Sequence, residues 1–219
     1  FPTRRSSDLG ILSPEQDVIK SGMRQEVQRA RLAIDFALDG KMAAVVSSGD
    51  AGIYGMAGLV LELLFQEGAQ KQVDFEVIPG ITAASAAASL LGAPLMHDFA
   101  VISLSDLLTP WEVILRRIKA AALGDFVIVF YNPKSKKRVH QIEEARKILL
   151  EHRSPETPVG IVTSAGRDGE RAVVSDLEHF LDEEINMFSV VVVGNSHSYA
   201  AEGWMITPRG YEVQRGESQ

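Results

Sequence analysis

The strongest constraint on the fold is a regular alternation of short apolar runs with amphipathic segments. Val27, Ala30 and Ile34 recur at helical spacing, and an apolar run typical of a buried strand follows them. Over the first ninety residues this pattern predicts helix, strand, helix, strand and helix at 24–39, 42–47, 56–67, 73–78 and 82–91. Such an order favours an α/β fold with parallel strands and crossover helices.

The alternation starts again after a break at residues 93–98. The second series predicts strands and helices at 99–104, 110–124, 126–131, 136–153, 159–163 and 189–193. We therefore expect two α/β lobes, residues 10–95 and 98–211. Each lobe should hold a mainly parallel or mixed sheet with flanking helices.

The first nine residues, FPTRRSSDL, begin no pattern that later residues continue. They resemble the translation of a common sequencing adapter, and an ordinary disordered tail is the alternative. We leave residues 1–9 out of the fold prediction. The native start of the protein is then expected to be absent.

Composition excludes several kinds of site. The chain has 219 residues and no cysteine, which rules out disulfides, thiolate metal sites and cysteine nucleophiles. Its histidines show no HxH or HExxH spacing, so no metal site is predicted. A net charge of −7 opposes nucleic-acid binding. The charge balance and the lack of cysteine fit a cytoplasmic protein. Residues 77–97 carry no acid, lysine or arginine, but prolines and glycines interrupt them, so we expect no membrane span.

Two turns that follow predicted strands have the composition of ligand sites, since ligands of open α/β sheets bind at the carboxyl ends of strands. The turn at 47–55 combines the carboxylate of Asp50 with glycines that allow close backbone approach. The turn at 79–85 enters a helix of small residues whose first N–H groups are unpaired. A plain Gly-Asp turn and close helix–sheet packing are the alternative explanations.

A third turn, at residues 131–138, carries four bases within five residues: Lys134, Lys136, Lys137 and Arg138. A solvated helix start is the usual explanation of such a run. Positive charges at a helix N-terminus oppose the helix dipole, however, so they do not stabilise the helix. An anionic ligand is the better reason for these side chains.

Four segments together resemble the tetrapyrrole methylases: SSGDAGIYGMAGLVLEL, VIPGITAASAAASLLGAPLMHDFAVISLSDLLTPWE, VFYNPKSKKR and VVVGNSHSYAAEGWMITPRGY. The resemblance extends from about Asp17 to Tyr211. It implies a two-lobed α/β methyltransferase that forms a homodimer. It further implies the use of S-adenosylmethionine to methylate a tetrapyrrole carbon during corrin ring synthesis, with contraction of the ring.

The resemblance also implies roles for individual residues. The cofactor contacts would be Ser48, Gly49, Asp50, Ile53, Thr82, Ala83, Asn132 and Ala165. Carboxylates of the tetrapyrrole substrate would pair with Lys134, Lys136, Lys137 and Arg138. Ring contraction needs proton movement; apart from the resemblance, we take Asp106 or His97 as the candidate for it. Family members open with an apolar strand and a Gly-Pro-Gly turn, so roughly one βα unit, about thirty residues, is expected to be missing here.

Several alternatives remain open. Another member of the family would methylate a different tetrapyrrole carbon, and more distant relatives would methylate diphthine or ribosomal RNA. The net charge of −7 counts against the RNA substrate. A truncated fragment that binds a tetrapyrrole, or nothing, and transfers no methyl group is a further alternative. Substrates with and without cobalt are both compatible with the sequence.

Overall fold

The computed structural model describes residues 13, 15–20, 22, 25–136 and 138–211. The chain divides into two compact units, of which the first ends at Thr82 and the second begins at Ala83. The predictions about residues 1–9 and about a missing start fall outside the described residues. No helix in the described ranges is long and apolar enough to cross a membrane.

The described part of the first unit is helical. It contains α1 (Glu26–Leu38), α2 (Ala57–Gln66) and a 3₁₀ turn (Ala69–Lys71), which confirms both predicted helices to within two residues. The helices pack through a small apolar cluster formed by Ala30, Ile34, Val60, Leu63, Leu64 and Ala69.

The strands predicted at 42–47 and 73–78 are wrong for the described residues. Neither run belongs to a strand. Side chains expected to be buried are instead exposed, with Met42 fully exposed, Val46 at 58% and Ile78 at 73%. A strand needs a hydrogen-bonded neighbour, and no described residue of the first unit supplies one.

The second unit holds all the described strands of the chain. Its helices are α3 (Ala83–Leu91), α4 (Trp111–Leu123) and α5 (Gln141–Leu150), with a 3₁₀ turn at Phe180–Asp182. Its strands are β1 (Gly92–Ala93), β2 (Phe99–Ser103), β3 (Val127–Tyr131), β4 (Pro158–Thr163), β5 (Arg171–Asp176), β6 (Ser189–Val193), β7 (Tyr199–Ala201) and β8 (Trp204–Ile206).

These strands form a five-stranded mixed sheet, ordered β2-β3-β6-β4-β5, and a small sheet ordered β1-β8-β7. In the larger sheet β2 and β3 are parallel, and the other neighbours are antiparallel. In the smaller sheet β1 is parallel to β8, and β7 is antiparallel to it. The mixed sheet with flanking helices confirms the predicted α/β class.

Alternate residues of β3 point to opposite faces of the larger sheet, as the strand period requires. Ile128 and Phe130 pack with α4 and α5, whereas Val127, Val129 and Tyr131 pack with α3. Because α3 covers one face of this sheet, it belongs to the second unit. The division therefore falls after Thr82, earlier than the boundary expected at 93–98.

The helix predicted from residue 136 begins five residues later. The intervening segment closes into a turn, because the N–H of Ser135 donates to the Arg138 carbonyl at 2.9 Å and the N–H of Arg138 donates to Ser135 Oγ at 3.1 Å. The first turn of α5 holds Glu143 and Glu144 rather than bases, as the helix dipole favours.

Candidate functional site

In the first unit, the side chain of Asp50 ties the predicted Gly-Asp turn to the turn at 79–82. Its Oδ1 accepts hydrogen bonds from the N–H groups of Gly52 at 2.8 Å and Ile53 at 3.1 Å, and its Oδ2 accepts one from Gly80 at 2.9 Å. These bonds, led by that of Gly80, hold the pKa of Asp50 below its ordinary value, although burial acts in the opposite direction. The ionised carboxylate is therefore engaged by the backbone of its own turns.

Backbone packs directly on backbone where these two turns meet. A Cβ placed on Gly80 would overlap the carbonyl oxygen of Gly49, so the close approach requires glycine. At the far end of the Gly-Asp turn, Ser47 Oγ accepts a hydrogen bond from the N–H of Met56 at 3.1 Å. The segment between is thus fixed at both ends, while the predicted cofactor contacts Ser48, Gly49 and Ile53 stay exposed.

In the second unit, the carboxyl ends of parallel strands β2 and β3 meet at one edge of the sheet. Ser103 lies opposite Tyr131, and Nδ2 of the following Asn132 donates to Ser103 Oγ at 3.0 Å. Asn132 has a φ of 52°, in the left-handed region that most side chains avoid. Residues held in such conformations cluster at functional sites.

The start of α3 is attached to the same edge. The N–H of Ala84 donates to Tyr131 Oη at 2.7 Å. Because Ala83 precedes Ala84 and Asn132 follows Tyr131, this hydrogen bond brings two predicted cofactor contacts to one place. Thr82 is the last residue of the first unit and is half-buried there.

Ala165 reaches this edge through the sheet topology. Strands β3 and β4 are both antiparallel to β6, so their carboxyl ends point the same way. Ser164, which follows β4, has a φ of 55°, and Ala165 packs against the buried cluster that contains Tyr131. The structure therefore gathers Ala83, Asn132 and Ala165 at a single sheet edge.

Arg138 is committed to the backbone of this edge. Its Nη2 donates to the carbonyl oxygen of Asn132 at 2.9 Å. Burial lowers the pKa of Arg138, and the nearby charge of Asp106 partly restores it. Lys134 is half-buried and Lys136 is exposed in the same turn, whereas Lys137 lies outside the described residues. The substrate contacts of these four bases remain predictions.

The two candidates for proton transfer do not come together. Asp106 follows β2, and its Oδ2 accepts a hydrogen bond from Gln141 Nε2 at 3.0 Å, at the start of α5. His97 precedes β2, and its Nδ1 accepts a hydrogen bond from the N–H of Asp98 at 2.9 Å. The strand that separates them spans roughly 13 Å. Only Asp106 lies at the edge that carries Asn132.

The sequence interpretation missed two supporting residues, Ser103 and Gln141. Ser103 is a polar residue at the end of a strand, the same signal that identified Asn132. Gln141 had no comparable signal, because its contact with Asp106 depends on where α5 begins.

The described residues contain no group of three or more His, Asp or Glu side chains placed to hold a metal ion. The sheet edge that carries Ala83, Asn132 and Ala165 consists of backbone turns at the carboxyl ends of β3 and β4. Residues with a left-handed φ lie in these turns, and hydrogen bonds hold their main chain. Such an edge, at the carboxyl ends of strands, is where α/β proteins with open sheets bind their ligands.

Comparison with known proteins assigns the chain to a family. The family Tetrapyrrole (Corrin/Porphyrin) Methylases matches residues 8–181. A cobalt-factor III methyltransferase of Priestia megaterium is 57% identical over 93% of this chain, which spans 38% of that protein's length. A probable cobalt-factor III C(17)-methyltransferase of Salmonella typhimurium is 53% identical over 91% of this chain and 82% of its own length.

A solved structure agrees with these relatives. The crystal structure of the methyltransferase CobJ matches with a TM-score of 0.83 and 36% identity, over 90% of this chain and 83% of that one. The chain belongs to the tetrapyrrole methylase family. This confirms the resemblance seen in the sequence.

Proposed function

We propose that the protein transfers a methyl group from S-adenosylmethionine to C-17 of cobalt-factor III, or of metal-free precorrin-3B, with contraction of the ring. The observation that carries this proposal is the 53% identity with the Salmonella protein over 82% of that protein's length. The more similar Priestia protein has cobalt-factor III in its name.

The site suits a reaction that needs alignment more than acid–base power. S-adenosylmethionine supplies a methyl group on a sulfonium, and displacement at that carbon depends on the geometry in which the reactants are held. Hydrogen bonds hold backbone turns within each unit, through Asp50 in the first and through Ser103 and Arg138 in the second, which supports a role in alignment. The residues assigned to the cofactor are Ser48, Gly49, Asp50, Ile53, Thr82, Ala83, Asn132 and Ala165.

Substrate recognition is assigned to the basic turn. A tetrapyrrole of this class carries several carboxylates, and charge-assisted hydrogen bonds to lysine are among the stronger polar contacts. Lys134 and Lys136 offer such charges beside Asn132, and Lys137 belongs to the same segment. Asp106 is the better of the two candidates for proton transfer, because it lies at this edge and His97 does not. We further propose a homodimer in the cytoplasm.

The direct test measures methyl transfer from labelled S-adenosylmethionine to cobalt-factor III and to precorrin-3B, with the methylated position read by NMR. Methylation at C-17 supports the proposal. Methylation at another carbon assigns the protein to a different reaction of the family, and absence of transfer with either substrate overturns the proposed activity.

A second test separates the cofactor site from the substrate site. Asp50→Ala should weaken S-adenosylmethionine binding in calorimetry, because the exposed turn loses the hydrogen bonds that the Asp50 carboxylate accepts. Asp39→Ala, in the same unit, should leave cofactor binding unchanged. Lys134→Glu with Lys136→Glu should raise the KM for the tetrapyrrole without changing cofactor affinity. Lys119→Glu on α4 is the control for a charge reversal elsewhere in the same unit. Equal cofactor affinity in wild type and Asp50→Ala would contradict the assignment of the turn.

A further inference from the structure

Arg138 was predicted to bind a substrate carboxylate, but its surroundings suit a different task. The guanidinium Nη2 donates to the Asn132 carbonyl at 2.9 Å. The Nε atom is buried and finds no hydrogen-bond partner among the described residues. Two-pronged recognition of a carboxylate usually uses a pair of adjacent guanidinium N–H groups. With Nη2 engaged by a main-chain carbonyl and Nε enclosed, the side-on pair of Nε and Nη2 is not available to an incoming carboxylate.

The turn that carries Arg138 is closed upon itself. Ser135 and Arg138 exchange two hydrogen bonds, one from the N–H of Ser135 and one to Ser135 Oγ. From this closed turn the Arg138 side chain reaches the carbonyl of Asn132, six residues earlier in the chain. The guanidinium thus links this closed turn to the residue that follows β3.

Asn132 is the residue whose carbonyl Arg138 contacts. Its φ of 52° lies in the left-handed region, which residues with a side chain other than asparagine and aspartate rarely adopt. Conformations of this kind persist where neighbouring groups determine them. Asn132 is restrained on two sides, by Ser103 Oγ at its amide and by Arg138 at its carbonyl.

We propose that Arg138 is a positioning residue that fixes the main chain of Asn132, and that it acts on the cofactor rather than on the tetrapyrrole. This inference rests on the proposed function only where it names S-adenosylmethionine as the ligand at Asn132. Lys134 and Lys136 then carry the substrate charge without Arg138.

The chain offers a matched control. Arg146 also binds main-chain carbonyl groups, with Nε donating to Leu177 at 2.8 Å and Nη2 donating to Glu178 at 2.5 Å. These two carbonyl groups lie away from the sheet edge that carries Asn132. Arg146→Gln therefore removes a comparable clamp in the same unit without touching Asn132.

The experiment compares Arg138→Gln, Arg138→Lys and Arg146→Gln with wild type. In calorimetry, both Arg138 variants should raise the dissociation constant for S-adenosylmethionine roughly tenfold, the effect of losing one hydrogen bond to a charged group. At saturating cofactor, the KM for the tetrapyrrole should not change. Arg146→Gln should leave both constants at wild-type values. A raised tetrapyrrole KM with unchanged cofactor affinity would overturn the inference.

Hydrogen exchange gives a readout that needs no ligand. The amides of Asn132, Lys134, Ser135 and Lys136 should exchange faster in both Arg138 variants than in wild type or Arg146→Gln. If wild type fails to bind S-adenosylmethionine but these amides respond, the proposed function fails and the positioning role stands. If the amides do not respond, the positioning role fails. Should the Arg138 variants not fold, Ser103→Ala removes the other restraint on Asn132 and should shift cofactor affinity in the same direction.

Discussion

Residues 42–47 in the first unit and residues 189–193 in the second are both short apolar runs, but only the second run forms a strand, β6. The first run lies outside any strand, with Met42 and Val46 exposed. Every residue of β6 is buried, between β3 on one side and β4 on the other. Local composition marks a segment as suitable for a strand, but the hydrogen-bonded neighbours decide whether one forms.

The largest expected difference between the units is in amide hydrogen exchange. Amides of β3 and β6 sit in a fully buried ladder and should exchange only on global unfolding. Those of residues 42–47 lack a ladder and should exchange faster by about a thousandfold or more, the low end of a folding equilibrium constant. Mass spectrometry of peptides from both regions checks this. Equal protection would show that the first unit holds a strand ladder after all.

A smaller difference is expected for truncation of core side chains. Phe130→Ala removes a fully buried ring between the larger sheet and its helices and should cost about 3–5 kcal/mol. Leu64→Ala, in the first unit, should cost about 2 kcal/mol, because the apolar cluster that contains Leu64 is smaller than the one that contains Phe130. Urea unfolding of the two variants gives both values. A larger loss for Leu64→Ala would reverse the proposed ranking of the two cores.

Gly160→Ala in the second unit and Gly80→Ala in the first should differ in whether they affect mainly stability or mainly cofactor binding. A Cβ on Gly160 would overlap the side chain of buried Leu91, so Gly160→Ala should cost about 1–3 kcal/mol through overpacking. Gly80→Ala instead meets the Gly49 carbonyl in an exposed turn. It should mainly displace the N–H that Asp50 binds, and cofactor affinity should fall with less effect on unfolding. Thermal unfolding and calorimetry on both variants distinguish the two effects.

The smallest expected effect concerns acid stability. The pKa of Asp50 is lowered in the folded chain from its ordinary value of 3.8. A lowered carboxyl pKa stabilises the fold fully above the ordinary value, and this contribution disappears as pH falls through the folded value. Wild type should therefore lose more stability than Asp50→Asn as the pH falls below about 4. Urea midpoints measured at several pH values check the slope, and parallel profiles would contradict it.

The sequence predicted most accurately those helices and strands whose local hydrophobic pattern is enough to identify them. Strand β6 is a run of four valines after a serine, and α1 has clear helical spacing. Strand β5 was missed because Arg171–Asp176 is polar at both ends and lies at the edge of the sheet. Strands β7 and β8 have three residues each, too few for a period to show.

For the candidate site, too, the local sequence pattern predicted only part of the arrangement. The rule that ligands meet strand ends holds for the turn at Asn132, which follows β3. The same rule pointed to the turn at Asp50, but the run before that turn forms no strand among the described residues, and its hydrogen bonds come from its own backbone and from Gly80. The direction of the Arg138 side chain could not be predicted, since it depends on a turn where the sequence suggested a helix. Which residues of the two units act on one ligand stays a prediction.

The order of strands in the larger sheet has a consequence for synthesis of the chain. Strands β2 and β3 pair with each other, as do β4 and β5, but the two pairs are joined only through β6, which is made last of the five. A chain still growing on the ribosome therefore presents two incomplete sheets with open edges until residue 193 has emerged. Such edges recruit other strands, so the interval before β6 arrives is when the nascent protein most needs protection from aggregation.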